Sequence, residues 1–464
     1  MATTFPDTPA FTGFNEPCRF EGEVYDLVVT GTLPPALAGT FYRCGPDPQW
    51  PPLLGDDVRF NGDGMVSMFR FAGGRVDFRS RYVRTEKFVL ERAARRALFG
   101  AYRNPFTDDP SVRGKIRGTA NTHIIPHAGT LLALKEDSPP VALDPDSLET
   151  IGNWDFAGKL TSQTFTAHPK IDPATGEMFC FGYAATGIST RDVAYYVIDA
   201  QGSIIHEVWF EMPYAAMMHD WVVTQDYVVF PVVPITSDIE RTKAGRPAFM
   251  WDDRQDVFLG VLPRFGTASD LRWFRGPCRF AAHFMNGWND GPLVHVDAVA
   301  AEGNVFPFFP DVRGAAFDPQ KALTYLTRWT IDLAADGDGY TETRLSATPT
   351  LPNAHGFMLS ADPDKPYAGN KLMFNSVAHH DYARAKTTLA YAGDGCGFQE
   401  PVFVPRSPGA SEGDGYLVIV RNRLLERASD VVVLDVADLS ADPVATIAVP
   451  VRLRDAIHGS WVAA

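Results

Sequence analysis

The 464-residue sequence predicts an all-β fold arranged as a β-propeller, on three observations. The first is punctuation. Its 39 glycines and 36 prolines are spread along the whole chain, and short β-branched or aromatic runs lie between them, at 131–134, 178–183, 193–198, 227–233, 323–331, 415–420 and 431–434. Many short strands joined by turns read this way. The second is a weak repeat in which an apolar strand ends in Asp, a polar turn follows, and another strand begins. It occurs at Ala142-Leu143-Asp144 before 149–154, and at Val197-Ile198-Asp199 before 204–210. It recurs at Thr330-Ile331-Asp332 before 340–345 and at Val433-Leu434-Asp435 before 445–449. Antiparallel hairpins recurring around a propeller give such a pattern. The third is how little helical periodicity there is. The clearest stretch runs over 86–102, where Phe88, Leu90, Ala94, Leu98 and Phe99 are apolar amid Arg92, Arg95 and Arg96.

Seven blades would receive roughly 66 residues each, more than the ~40–45 of a compact blade. The excess is expected as long loops and short helices capping one face. A β-sandwich array is the competing arrangement. No linker divides the chain, so 1–464 reads as a single propeller domain with its cap, and 1–30 as an N-terminal extension packed on it.

Composition narrows the partners. The chain is 45% hydrophobic and 21% charged, as ordinary globular proteins are. A formal charge of −14 disfavours nucleic acid or an anionic membrane as partner and suits a neutral or small organic one. The five cysteines are Cys18, Cys44, Cys180, Cys278 and Cys396, an odd and widely spaced set without a Cys-x-x-Cys pair. They read as thiols in a reducing compartment, not as a disulfide framework. Residues 1–22 lack the basic and apolar regions of a signal peptide, and no run of about 20 apolar residues occurs. The cytoplasm is the expected location.

Four distant histidines carry the chemical interest. They are His168 in Ala-His-Pro-Lys, His219 in Met-His-Asp-Trp, His283 in Ala-His-Phe-Met-Asn and His458 in Ile-His-Gly-Ser-Trp, each at the edge of an apolar run. Brought together, they would make an all-nitrogen metal site; imidazole suits iron, copper, zinc and nickel. Free positions on such a metal would favour redox chemistry with oxygen over a sealed structural role. Two rival sets exist. His123 and His127 have i, i+4 spacing, but Ile124, Ile125 and Pro126 disfavour a helix there. His379-His380-Asp381 would point to alternate faces of a strand. There is no Gly-x-Ser-x-Gly elbow, P-loop or His-Glu-x-x-His helix. Turn chemistry accounts for Asn61-Gly62-Asp63-Gly64 and Asp336-Gly337-Asp338-Gly339.

Several segments, in order, carry a resemblance. They are Gly39-Thr40-Phe41-Tyr42-Arg43-Cys44-Gly45-Pro46, Arg59-Phe60-Asn61-Gly62-Asp63-Gly64-Met65, Ala120-Asn121-Thr122, residues 131–136, Glu400-Pro401-Val402-Phe403-Val404-Pro405-Arg406 and His458-Gly459-Ser460-Trp461. From about Gly31 to the C-terminus the chain resembles the carotenoid cleavage oxygenase superfamily, and within it most closely the bacterial lignostilbene dioxygenases. The resemblance implies a seven-bladed propeller with Fe(II) on its axis, held by His168, His219, His283 and His458, with O2 as co-substrate. It also implies carboxylates behind three of those histidines. Glu136 and Glu400 match two of them. At the third, Thr350 in Thr350-Leu351-Pro352-Asn353 stands where relatives carry glutamate. A threonine supplies no charge, so His283 would be held less tightly or by another acceptor.

The same resemblance bears on substrate. Stilbene cleavers hold a ring 4-hydroxyl with a tyrosine and a lysine, and Tyr102 and Lys135 match these. Phe60 matches an aromatic that packs on a substrate ring, and Thr122 a threonine beside an open iron position. Phe306, or a neighbour in Phe306-Pro307-Phe308-Phe309, would line the other side. Lys135 adjoins Glu136, and on a strand the two would point to opposite faces. Relatives that cut polyenes carry an apolar patch, whereas 86–102, with Arg103 just beyond, is arginine-rich and reads as a solvated or subunit-contacting helix. The implied reaction is cleavage of the central C=C of a 4-hydroxystilbene by O2 to two aromatic aldehydes, two vanillins from lignostilbene. Relatives are often homodimers. Cleavage of an apocarotenoid, a metal-free propeller serving as an interaction platform, and a zinc or calcium propeller hydrolase are the alternative readings.

Overall fold

The computed structural model describes residues 4–55, 57–345, 356–366, 374–381 and 386–464. Thr350 and the segment 346–355 around it lie outside the described residues.

Seven antiparallel sheets follow one another around a ring, and they form a seven-bladed β-propeller. Blade 2 is His123–His127, Thr130–Leu134, Val141–Leu143 and Thr150–Asn153. Blade 3 is Lys170–Ile171, Met178–Tyr183, Asp192–Ile198 and Ile204–Glu211. Blade 4 is Val222–Val223, Tyr227–Val232, Val257–Pro263 and Arg272–Gly276. Blade 5 is Phe280–Asp290, Leu293–Ala301, Tyr325–Asp332 and Thr341–Arg344, and blade 6 has the described strands Phe357–Ser360, Ser376–Asp381 and Lys386–Tyr391.

The remaining two blades join the chain ends. In blade 1 the C-terminal strand His458–Ala463 pairs with Gly39–Pro46, followed outward by Gly64–Ala72, Arg75–Tyr82 and Gly22–Val24. In blade 7 the N-terminal strand Val29–Gly31 adds to Ala445–Val449, beside Ala428–Asp435 and Gly415–Arg423. Strands from both ends therefore complete sheets begun by the opposite end, which closes the ring by hydrogen bonds. The two N-terminal strands are thus blade edges, and residues before them are held by Asp47, which accepts from Cys18 N–H (3.1 Å), and by Arg454, which donates to the Asn15 carbonyl (2.9 Å).

The Asp-ended repeat has a physical cause. Asp144, Asp199, Asp332 and Asp435 each end the third strand of a blade or open the turn after it. In each, Oδ1 accepts the backbone N–H two residues on, from Asp146 (3.1 Å), Gln201 (3.0 Å), Ala334 (2.9 Å) and Ala437 (3.0 Å). A short acceptor at that point replaces the lost ladder bond and starts the turn toward the outer strand.

The long connections form the cap. The helix Glu86–Ala94 is capped by Thr85, whose Oγ1 accepts Phe88 N–H (3.1 Å). It stops well short of Tyr102. Arg95 takes a left-handed conformation, and the buried Glu91 carboxylate accepts the N–H groups of Leu98 (2.9 Å) and Phe99 (3.1 Å), competing with any further helical turn. Lys87 is buried between Glu91 (2.8 Å) and Asp63 (3.1 Å) and pins the helix to the loop that carries Phe60. A two-stranded sheet, Ile235–Ser237 with Phe249–Trp251, and the short helix Ile239–Lys243 complete this face.

Candidate metal centre and substrate cavity

The four histidines occupy equivalent places. His168 and His219 lie just before the first strands of blades 3 and 4. His283 is inside the first strand of blade 5, and His458 opens the strand that closes blade 1. Equivalent positions in a closed ring face its axis, so one imidazole nitrogen from each converges, all within 4.8 Å of one another. His219 Nε2 lies 3.1 Å from both His168 Nε2 and His283 Nε2.

These spacings fit a metal ion. Imidazole–metal bonds are about 2.1 Å long, so neighbouring nitrogens at right angles on one ion would stand ~3.0 Å apart. His219 gives its Nδ1 to Glu136, and His458 gives its Nδ1 to Glu400 (2.7 Å). The Nε2 lone pairs are thereby turned inward. His458 Nε2 is buried with no hydrogen-bond partner among the described residues. Several lone pairs facing one another in a buried pocket repel unless a cation is shared between them. Burial also holds His168 and His283 well below the usual imidazole range and His458 at about 3, so all three stay neutral, the form that binds metal.

The flanking carboxylates differ in setting. Burial raises Glu136, but His219, Arg103 and Lys135 outweigh it and hold the carboxyl at about 2. Glu136 Oε2 also accepts from Arg103 (3.0 Å) and from the Tyr183 hydroxyl (2.5 Å). Glu400 has fewer compensating partners, Gly459 N–H (2.9 Å) and the nearby His123, and burial pushes it up to about 8 in the absence of a cation. A bound cation would favour its charged form.

A cavity lies against His219 and His283. Its walls are mainly apolar, including Phe60, Met217, Val233, Ile235, Phe280, Phe306, Phe308, Phe309 and Ile457, with Tyr102, Thr122, Lys135 and Glu136 as its polar members. Several long connections contribute to it, through Phe60, Tyr102, Met217, Phe306 and Ile457. Phe308 is the aromatic that meets Phe60, edge to face at 5.5 Å, and Phe306 stacks behind Phe308 at 5.0 Å.

Lys135 and Glu136 both line this cavity, contrary to the alternation expected of a strand. The strand ends at Leu134, so the period of two no longer governs the next residues. Lys135 is 5% exposed; its Nζ reaches the Phe60 carbonyl at 3.4 Å and lies 5.1 Å from the centroid of the Tyr102 ring. Burial lowers its pKa and raises that of the Tyr102 phenol. Asn121, fully buried, donates to the carbonyls of Phe60 (2.8 Å) and Gly62 (2.7 Å) and accepts from Thr122 Oγ1 (3.1 Å), fixing the cavity wall.

Arg103, grouped from sequence with a solvated helix, instead lies buried against Glu136 and Tyr183. The rival histidines separate. His123 packs its ring 5.1 Å from His458 and 5.9 Å from His168, with Nδ1 on the Ala167 carbonyl (2.8 Å). His127, about 13 Å further along the same strand, pairs with the Gly176 carbonyl. His379 stacks on Phe357 and His380 contacts Thr387, neither in the four-histidine cluster.

Known proteins share this fold. The family model described as retinal pigment epithelial membrane protein (RPE65) matches residues 15–463. The chain belongs to the RPE65/carotenoid cleavage oxygenase family. Among members of that family, lignostilbene-alpha,beta-dioxygenase isozyme III of Sphingomonas paucimobilis is 46% identical, over 98% of this chain and 97% of its own. Isoeugenol monooxygenase of Pseudomonas nitroreducens is 45% identical, over 100% and 99%. The crystal structure of Pseudomonas brassicacearum lignostilbene dioxygenase superposes with a TM-score of 0.96 at 44% identity, each chain covered completely. No described helix is long and apolar enough to cross a membrane.

Proposed function

We propose that this family member is a non-haem Fe(II) dioxygenase that cleaves the central C=C of 4-hydroxystilbenes with O2, giving two aromatic aldehydes such as vanillin. His168, His219, His283 and His458 hold one iron per chain. The observation that carries the reading is the convergence of four imidazoles beside an aromatic cavity, lined by His219 and His283, that also holds a buried lysine and a tyrosine.

A ferrous ion supplies the redox chemistry that lets dioxygen react with a closed-shell olefin. The chain's own residues do the rest. Phe60 and the Phe306–Phe308 pair grip a planar substrate over the histidines, and the apolar walls exclude water. Lys135 donates to the substrate's phenol oxygen with Tyr102 beside it, and the ammonium favours phenolate character there. A para-phenolate conjugated with the olefin makes that bond electron-rich and more reactive to oxygen. Thr122, on the cavity wall with His219 and His283, would limit what can approach a metal held there. One C=C is broken and two C=O bonds form, so one dioxygen balances the reaction.

Aldehyde formation and oxygen uptake with a 4-hydroxystilbene, a 4-propenylphenol and an apocarotenal test the proposal. Turnover of the hydroxystilbene supports it, and turnover of the polyene alone removes the roles given to Tyr102 and Lys135. The 45% identity to an isoeugenol monooxygenase favours a propenylphenol as the second reading, with the same phenol contacts.

A further inference from the structure

The dipeptide after His219 reaches both neighbouring histidine segments. Asp220 is buried, its side chain 3% exposed. Its Oδ1 accepts from Lys170 Nζ at 2.7 Å, and Lys170 stands two residues beyond His168. Its Oδ2 accepts from the backbone N–H of Phe284 at 2.9 Å, directly after His283. Trp221, fully buried, donates from Nε1 to the carbonyl of His168 itself at 2.8 Å. Two consecutive side chains therefore tie the segments of blades 3, 4 and 5 that carry three of the four histidines.

This arrangement bears on the histidines that lack a carboxylate. Glu136 orients the His219 ring and Glu400 the His458 ring. Among the described residues no carboxylate oxygen is hydrogen-bonded to the ring of His168 or His283. Asp220 instead holds the backbone of the residue directly after His283. A buried carboxylate needs a partner to remain charged, and Lys170 provides it from the less buried side, 33% exposed.

We infer that Asp220, with Lys170 as its counter-ion, is a positioning residue for the metal centre. It sets the spacing of His168 and His283 against His219 through backbone tethers and an ion pair, without touching metal or substrate. The inference rests on the metal reading above. Groups that orient ligands in this way typically change metal affinity about 10–100-fold when removed.

The test loads metal-free full-length protein with cobalt(II), whose visible absorption bands report ligand geometry, and measures affinity by competition with a chelator. Asp220→Asn keeps the size and one acceptor oxygen but removes the charge. Lys170→Met removes the counter-ion from a partly exposed site and keeps the test available if the first variant does not fold. We expect the cobalt dissociation constant to rise about 10–100-fold in Asp220→Asn. It should rise by a smaller factor in Lys170→Met. The cobalt bands should shift in both variants, and Lys170→Arg should restore them. Wild-type affinity and bands in Lys170→Met and in any folded Asp220→Asn protein, whatever its thermal stability, would overturn the inference alone. A wild-type protein that takes up neither cobalt nor iron would overturn the metal reading together with it.

Discussion

Replacing Lys135 by methionine isolates the phenol contact from the metal site. Methionine retains most of the stem that packs against the Tyr102 ring but removes the ammonium, which lies in the cavity within 3.4 Å of the Phe60 carbonyl. The four histidines keep their partners, since Lys135 bonds to none of them. A hydrogen bond to a charged group is worth about 1.5–3 kcal/mol, which corresponds to a loss of roughly 10- to 150-fold in kcat/KM. The loss should fall on substrates with a free 4-hydroxyl. A 4-methoxystilbene, which cannot become a phenolate, should change by less than about threefold. The assay is kcat/KM for the matched pair, with iron content measured on the same samples. An equal loss on both substrates, or a fall in iron content, would refute the assignment and make Lys135 a structural residue.

Further expectations follow from the same geometry. Alanine at His168, His219, His283 or His458 should abolish iron loading, read by elemental analysis. Burial lowers the pKa of Lys135, so activity that needs its ammonium is present at lower pH and disappears as pH rises through a value below the ordinary lysine one. In Lys135→Arg that alkaline limb of kcat/KM should move up or vanish. Lys87→Met leaves Asp63 and Glu91 buried without their cation and should cost about 3–5 kcal/mol in denaturant unfolding. Stability within about 1 kcal/mol of wild type would show that the pair does not anchor the cap.

Much of the ring was legible in the sequence because its signals are local. The Asp-ended repeat reports a turn that Asp144, Asp199, Asp332 and Asp435 each make with a backbone N–H two residues away. The histidine motifs stood out because each sits at the inner start of a sheet, next to residues that must be apolar. The meeting of the four histidines with Glu136 and Glu400 was legible only through the family resemblance, and other long-range contacts were not legible. The helix read over 86–102 ends at Ala94 because the Glu91 side chain takes amides seven and eight residues ahead, a competition that periodicity does not register. Lys135 and Glu136 share a cavity because their strand has already ended. Arg103 and Tyr183 meet Glu136 from opposite sides of the cap boundary, 33 and 47 residues away in sequence. No local pattern marks such a meeting, and the same holds for the tethers of Asp220 and Trp221.

The reaction itself is tested most directly by product analysis under labelled dioxygen. Iron-loaded protein would turn over a 4-hydroxystilbene, with the aldehydes reduced at once to alcohols because aldehyde oxygen exchanges with water. Label in both products, and no turnover after the iron is stripped, is the predicted result. Unlabelled products, or undiminished cleavage by metal-free protein, would contradict the claim that four converging imidazoles hold the iron that activates dioxygen.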